Sequence, residues 1–393
     1  MSSQAVCFLT NDIQVRARRD TFQSLTLPPS PRLSLVFFAS TTLKFHRDFQ
    51  LRLALFLSRA AMQSTWTDLW TTDGAVDPFR TLVVSCAVSS LALCWVPSVM
   101  LRNYSLVDRL WPLLPAYYAG VVALFTLGGP PLSPRPLLLF GLVSLWAARL
   151  TYNYYRKGGY AWDAEDYRWV YVQRFFDVVP SRFLRTLLWQ AFNLSFISII
   201  QNVLLLAIAA PAYATWRLEH DAALLIKDGP VDTAQLNRWD ALATGLWLLL
   251  LTTETIADQQ QWRFHQAKAR CEVTKVLPNE YPLAEDIQDG FLSHGLFGLS
   301  RHPNFACEQS LWWILPLFAY AAAEATGQTL PFPNWYLAVP PFCLTMLFQG
   351  STWLTERITA AKYPAYAVYQ RRVARFVPWW APASRTGSKA KHS

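Results

Sequence analysis

Seven long apolar runs, separated by polar stretches, set the pattern of the chain. They lie near 79–101, 111–127, 136–155, 187–214, 239–257, 304–325 and 335–355. Each approaches the ~20 residues that a helix needs to cross a bilayer. The predicted fold is all-α: a polytopic integral membrane protein with seven transmembrane helices. The second run is short and framed by Pro112, Pro115 and Pro130. The fourth carries Asn193, Gln201 and Asn202, which in lipid must face other helices or a cavity.

Residues 1–62 break the pattern. They are basic and rich in Ser and Thr, and their apolar run at 33–40 is too short to span. They lack the charged, apolar and small-residue succession of a cleavable signal. A disordered N-terminal tail without catalytic function is expected there. Residues 63–380 make up the predicted membrane domain, and 381–393 a basic C-terminal tail.

Charge between the runs orients them. Arg156, Lys157, Arg168, Arg174, Arg182 and Arg185 follow the third run, and Arg263, Lys268, Arg270 and Lys275 follow the fifth. The alternate loops are poor in Lys and Arg or balance them with acids. The excess of positive charge on the cytoplasmic side then places the C-terminus in the cytoplasm. Lys389 and Lys391 near the end resemble the dilysine tail of endoplasmic reticulum membrane proteins, so that membrane is the expected location.

Composition strengthens the membrane reading. Of 393 residues, 53% are hydrophobic and only 16% charged, well below ordinary usage, and 18 are Trp. The net charge of +9 then belongs to loops facing anionic headgroups, and no nucleic-acid partner is expected. The six cysteines form no CxxC and have no His at metal spacing, so neither a metal site nor a disulfide framework is predicted.

Chemistry concentrates where polar residues interrupt apolar runs. Ser300-Arg301-His302-Pro303 leads into the sixth run, and Pro303 suits the first position of a helix. Arg301 and His302 would flank the N–H groups of that helix start, a setting that favours anions. Asn304, Glu308 and Trp312 follow at spacings of four, on one face. Glu254, Asp258, Gln261 and His265 form a polar stripe leaving the fifth run, and an intramembrane carboxyl such as Glu254 is costly without a task. Arg149 and Asn153 sit one turn apart in the third run, where Arg149 either snorkels to the surface or binds phosphate. Asp108 and Arg109 lie between the first two runs. The Tyr and Arg residues from Tyr363 to Arg375 either lie among headgroups or close over a nucleotide.

In order along the chain come Asp108 with Trp111-Pro112, Trp146-x-x-Arg149-Leu150, Glu165-Asp166-x-Arg168 and Glu254-x-x-Ala257-Asp258-x-Gln260. Ser300-Arg301-His302-Pro303-Asn304-Phe305 with Glu308, then Tyr363-Pro364-x-Tyr366 with Arg375-Phe376-x-Pro378, complete the set. These stretches, covering roughly residues 79–380, resemble the DUF1295 membrane proteins. That group is similar to the steroid 5-alpha-reductase C-terminal family and, more distantly, to sterol reductases and isoprenylcysteine carboxyl methyltransferases.

The resemblance implies a steroid-reductase-like seven-helix bundle and NADPH entering from the cytoplasm. It implies cofactor contacts from Arg149, Asp258, Gln260, Arg301, His302, Asn304, Glu308 and Tyr363. The implied reaction is reduction of a carbon–carbon double bond conjugated to a carbonyl in a lipid-like, steroid or isoprenoid type molecule. Asp108, Tyr152 and Glu254 are the side chains whose type suits the catalytic acid. An S-adenosylmethionine-dependent methyltransferase shares the Arg-His-Pro segment, and a non-catalytic membrane protein with the same fold is the third reading. Two features depart from the family pattern. Cys307 stands where the family has Gly, and the steroid enzymes' Gln-Glu-Leu-Pro segment has no counterpart.

Overall fold

The computed structural model describes residues 77–127, 133–225, 235–328, 330 and 335–377. The tails expected at 1–62 and 381–393 lie outside the described residues. Every described element is helical, and a single isolated bridge pairs Ser300 with Ala374.

Helix α1 runs Pro78–Leu101 and contains a π-helical turn at Ser89–Trp95. Asp77 caps it, its carboxylate accepting from the Phe79 N–H at 2.7 Å, with Pro78 filling the first helical position. A short α2 (Leu106–Leu110) leads to α3 (Leu113–Leu127), and α4 follows as Arg135–Arg156. Asp166 caps α5, Tyr167–Arg174. Helix α6 spans Arg182–Ala223 and also holds a π-turn, Asn193–Ile200.

Helix α7, Arg238–Thr274, starts at a capping box in which Asn237 and Asp240 satisfy each other's backbone N–H groups. A short α8 (Leu283–Asp289) ends at Gly290, whose φ is +87°. A Cβ at Gly290 would overlap the Tyr363 ring, so glycine is required there by both conformation and space. Helices α9 (Pro303–Ile314) and α10 (Pro316–Thr326) follow one another across Leu315. Pro316 lacks the N–H that would continue the ladder of α9, which is why one apolar run becomes two helices. Helices α11 (Trp335–Lys362) and α12 (Tyr366–Arg372) end the bundle.

The expectation of seven spans is met in part. Helices occupy all seven stretches, but three are long and apolar enough to cross a membrane: α1, α6 and α7. Helix α3 has 15 residues and falls short in length. Helices α4 and α11 are long enough but too polar, and the sixth run is divided at Leu315. Outward faces carry Val84, Leu93, Met100, Leu124 and Leu249, the apolar surface expected of a helix bundle in lipid.

Inside, α3, α4 and α6 pack against one another, and α7 lies along α4, α9 and α10. One core joins these helices through Trp111, Trp146, Trp247, Trp312, Phe305 and Phe348. A smaller cluster of Cys94, Tyr104, Val107, Trp169, Trp189 and Ile197 joins α1, α2, α5 and α6.

Candidate functional site

Where α4, α7 and α9 meet, one guanidinium faces three carboxyl groups. Arg149 Nη1 lies 2.9 Å from Glu254 Oε1 and 2.9 Å from Asp258 Oδ2, and its Nη2 lies 3.5 Å from Glu308 Oε2. Both glutamates are fully buried. The helical spacing explains the convergence: Glu254 and Asp258 share one face of α7, and Asn304 and Glu308 one face of α9. The side chain of Arg149 therefore turns inward and does not snorkel outward.

Neighbouring donors hold the carboxyls in place. Trp146 Nε1 donates to Glu308 Oε2 at 2.8 Å, and Trp312 Nε1 to Oε1 at 3.0 Å. Asn153 Nδ2 donates to Asp258 Oδ2 at 2.7 Å and Asn304 Nδ2 to Oδ1 at 3.2 Å. Charge is left unbalanced, one cation against Glu254, Asp258 and Glu308. A dry site tolerates that only with a proton or further donors. Two buried atoms here, Asn304 Oδ1 and Arg149 Nε, have no hydrogen-bond partner among the described residues. Cys307 borders the cluster, with Glu254, Arg149, Asp258 and Glu308 as its charged neighbours.

The start of α9 is built differently from the sequence expectation. Arg301 Nε donates to Glu356 Oε1 at 2.7 Å and Nη2 to Oε2 at 3.2 Å. Its Nη1 donates to the Gln370 carbonyl at 3.0 Å and to the Val373 carbonyl. The Tyr366 hydroxyl lies within hydrogen-bonding reach of the same guanidinium, so its donors are engaged within the protein. His302 Nε2 sits 3.0 Å from the same Glu356 Oε1. The backbone N–H of Arg301 donates to the Ala374 carbonyl and that of His302 to Arg375, so the segment after α12 is clamped onto the Arg-His-Pro turn.

Gln260 and Tyr363 are likewise engaged. Gln260 Oε1 accepts from the Leu296 N–H at 3.0 Å, beside Gly295, where a Cβ would come within 2.8 Å of the Gln260 amide. Tyr363 accepts from Lys268 Nζ at 2.7 Å, and Lys268 also donates to the Gly290 carbonyl. Tyr152 stands apart: it is exposed, with the Arg156 guanidinium 5.4 Å from its ring centroid.

Asp108 is fully buried but in another place, beside Asp166 and Arg168. Burial, reinforced by the Asp166 charge and offset by Arg168, pushes its carboxyl up to about 7. Arg109 does not pair with it; its Nη2 donates to the Ala161 and Ala164 carbonyls.

The structure thus brings Arg149, Glu254, Asp258, Asn304 and Glu308 together, with Arg301 and His302 in an adjoining network. Asp108 and Tyr152 are not in the cluster. Sequence reasoning missed Glu356, whose signal was an acid within the last long helix. It also missed a buried Arg135, which bonds Asp240 at 2.9 Å and Glu219 at 2.7 Å. Among the described residues no group of His, Cys, Asp and Glu is arranged to hold a metal.

The sequence profile of DUF1295, described as a protein of unknown function, matches residues 94–373. The chain belongs to the DUF1295 family. It is also similar to an uncharacterized protein of Schizosaccharomyces pombe, 38% identical over 286 residues, which cover 72% of this chain and 75% of the relative. No solved structure matches. The DUF1295 match includes every residue of the Arg149 cluster and of the Arg301 network except Ala374 and Arg375.

Proposed function

We propose that this DUF1295 protein is a membrane-embedded oxidoreductase. On this reading it uses NADPH to reduce a carbon–carbon double bond conjugated to a carbonyl in a lipid-like molecule. The observation that carries the reading is the Arg149–Glu254–Asp258–Glu308 cluster, an acceptor-rich site buried among three helices.

The residues present fit the cofactor. Ribose hydroxyls and a carboxamide N–H are donors, and Asp258, Glu308 and the unpartnered Asn304 Oδ1 are acceptors. Asp258, Asn304 and Glu308 would hold the nicotinamide riboside part. Arg156, which donates to Gln259 Oε1 at 2.9 Å, would face the phosphates. NADPH supplies the hydride. Trp146, Trp247 and Trp312, all fully buried, exclude water from the cluster. Glu254 lies close enough to hydrogen-bond Glu308. Such a bond between carboxyls needs a proton, which Glu254 would hold ready for the reduced substrate.

The same carboxyl surplus would also suit the sulfonium cation of S-adenosylmethionine, which keeps the methyltransferase as a second reading. Thermal stability of the detergent-purified protein separates them, because a ligand that binds the folded state raises the melting temperature. A shift with NADPH alone supports the reductase. A shift with S-adenosylmethionine alone replaces it. No shift with either favours a non-catalytic role.

A further inference from the structure

The second buried polar region lies between the two π-turns. The π-turns Ser89–Trp95 of α1 and Asn193–Ile200 of α6 pack against each other. A π-turn inserts a residue into a helix and often marks a functional site. Around them Tyr104, Val107, Trp169 and Trp189 make an apolar wall, with Leu347 of α11 packed behind it.

Into this region project buried polar groups that the protein leaves incomplete. Asp108 is fully buried, and neither carboxyl oxygen has a hydrogen bond of full geometry, although the Ser105 hydroxyl lies nearby. The adjacent ion pair does not serve it. Asp166 binds the Arg168 N–H at 2.9 Å and its Nε at 2.6 Å, and Arg168 Nη1 donates to Ser351 at 2.9 Å. Asn202 Nδ2 donates to the Ser198 carbonyl at 2.7 Å and approaches Cys94 Sγ at 3.5 Å, which leaves its Oδ1 without a partner. Cys94 in turn lies within electrostatic reach of Asp108. The Ser198 hydroxyl is also buried without a partner.

Each such group costs about 1–3 kcal/mol when left unmatched, so several around one apolar wall call for a shared partner. We propose that the space between the two π-turns is a ligand site separate from the Arg149 cluster. It takes the hydroxyl end of an apolar, lipid-like molecule, held by Asp108, Asn202 and Ser198. A hydroxyl group both donates and accepts, so it can give its proton to Asp108 or Asn202 Oδ1 and accept one from Ser198. An ether or a carbonyl only accepts and leaves the acceptor oxygens unmatched. The rings of Tyr104, Trp169 and Trp189 would carry the apolar body. The inference does not depend on which cofactor the Arg149 cluster binds.

The test measures binding of a C15 isoprenoid alcohol and of its methyl ether to the full chain in detergent, by change in tryptophan fluorescence. The alcohol should bind at least tenfold more tightly than the ether. Asp108→Asn and Asn202→Leu should each weaken the alcohol several-fold while leaving the ether unchanged. Should Asp108→Asn fail to fold, Asn202→Leu carries the test. Equal affinity for alcohol and ether would mean that the region holds only water, and the proposal falls. It falls equally if both variants keep the wild-type preference, since the hydroxyl is then read elsewhere.

Discussion

Trp146 on α4 and Trp312 on α9 meet edge to face, their ring centroids 4.8 Å apart, and both indole N–H groups point at one carboxyl, Glu308. The pair fixes the spacing of two helices and the position of the charge between them. Trp312→Phe keeps most of the ring and removes one donor, leaving Glu308 Oε1 short of a partner. Melting temperature should fall by the equivalent of about 1–3 kcal/mol, and any ligand shift at the cluster should shrink with it. An unchanged melting temperature would mean that the indole donors do not hold Glu308.

Arg149 is the cation facing Glu254, Asp258 and Glu308. Arg149→Met should cost about 3–5 kcal/mol, because it leaves buried carboxyls uncompensated. Arg149→Lys keeps the charge but loses the fork and should fall between the two. Thermal denaturation of the three proteins in one detergent gives the order.

Arg301 and Glu356 clamp the chain end onto the Arg-His-Pro turn, with Gln370 Nε2 adding a bond to Glu356 at 3.1 Å. Arg301→Met and Glu356→Gln should each destabilise the protein by several kcal/mol. Because they break one interaction, the double variant should lose much less than the two losses combined. Additive losses would show that the residues act separately.

Asp108 gives the protein a pH dependence of known sign. Its carboxyl is raised from 3.8 to about 7 by burial and by Asp166, so the folded protein binds a proton that the unfolded chain releases. The cost is absent below about pH 4, grows as pH rises, and is complete above about pH 7. At about 1.4 kcal/mol per pH unit it amounts to about 4 kcal/mol. Asp108→Asn should therefore melt higher than wild type at pH 8, and the gap should narrow by pH 5. A constant gap would mean that Asp108 does not titrate in this range.

Much of the site was readable along the chain. The spacing of four between Glu254 and Asp258, and between Asn304 and Glu308, put each pair on one helix face before any packing was known. The apolar runs located the helices, and Asn193, Gln201 and Asn202 are buried as lipid demands. Pro303 does open a helix. Periodicity is a local property, so one sequence suffices to see it.

What the sequence alone determined is the set of helices, the polar face of each, and membership in a family whose motifs are local strings. The tertiary structure decided which faces meet. It turned Arg149 inward to three acids and gave Arg301 to Glu356, leaving it little reach toward a phosphate. It set Asp108 beside Asp166 and Arg168 and left Tyr152 outside. These pairings join residues tens to more than a hundred positions apart. Their energies come from burial and charge compensation between helices, which no local pattern encodes.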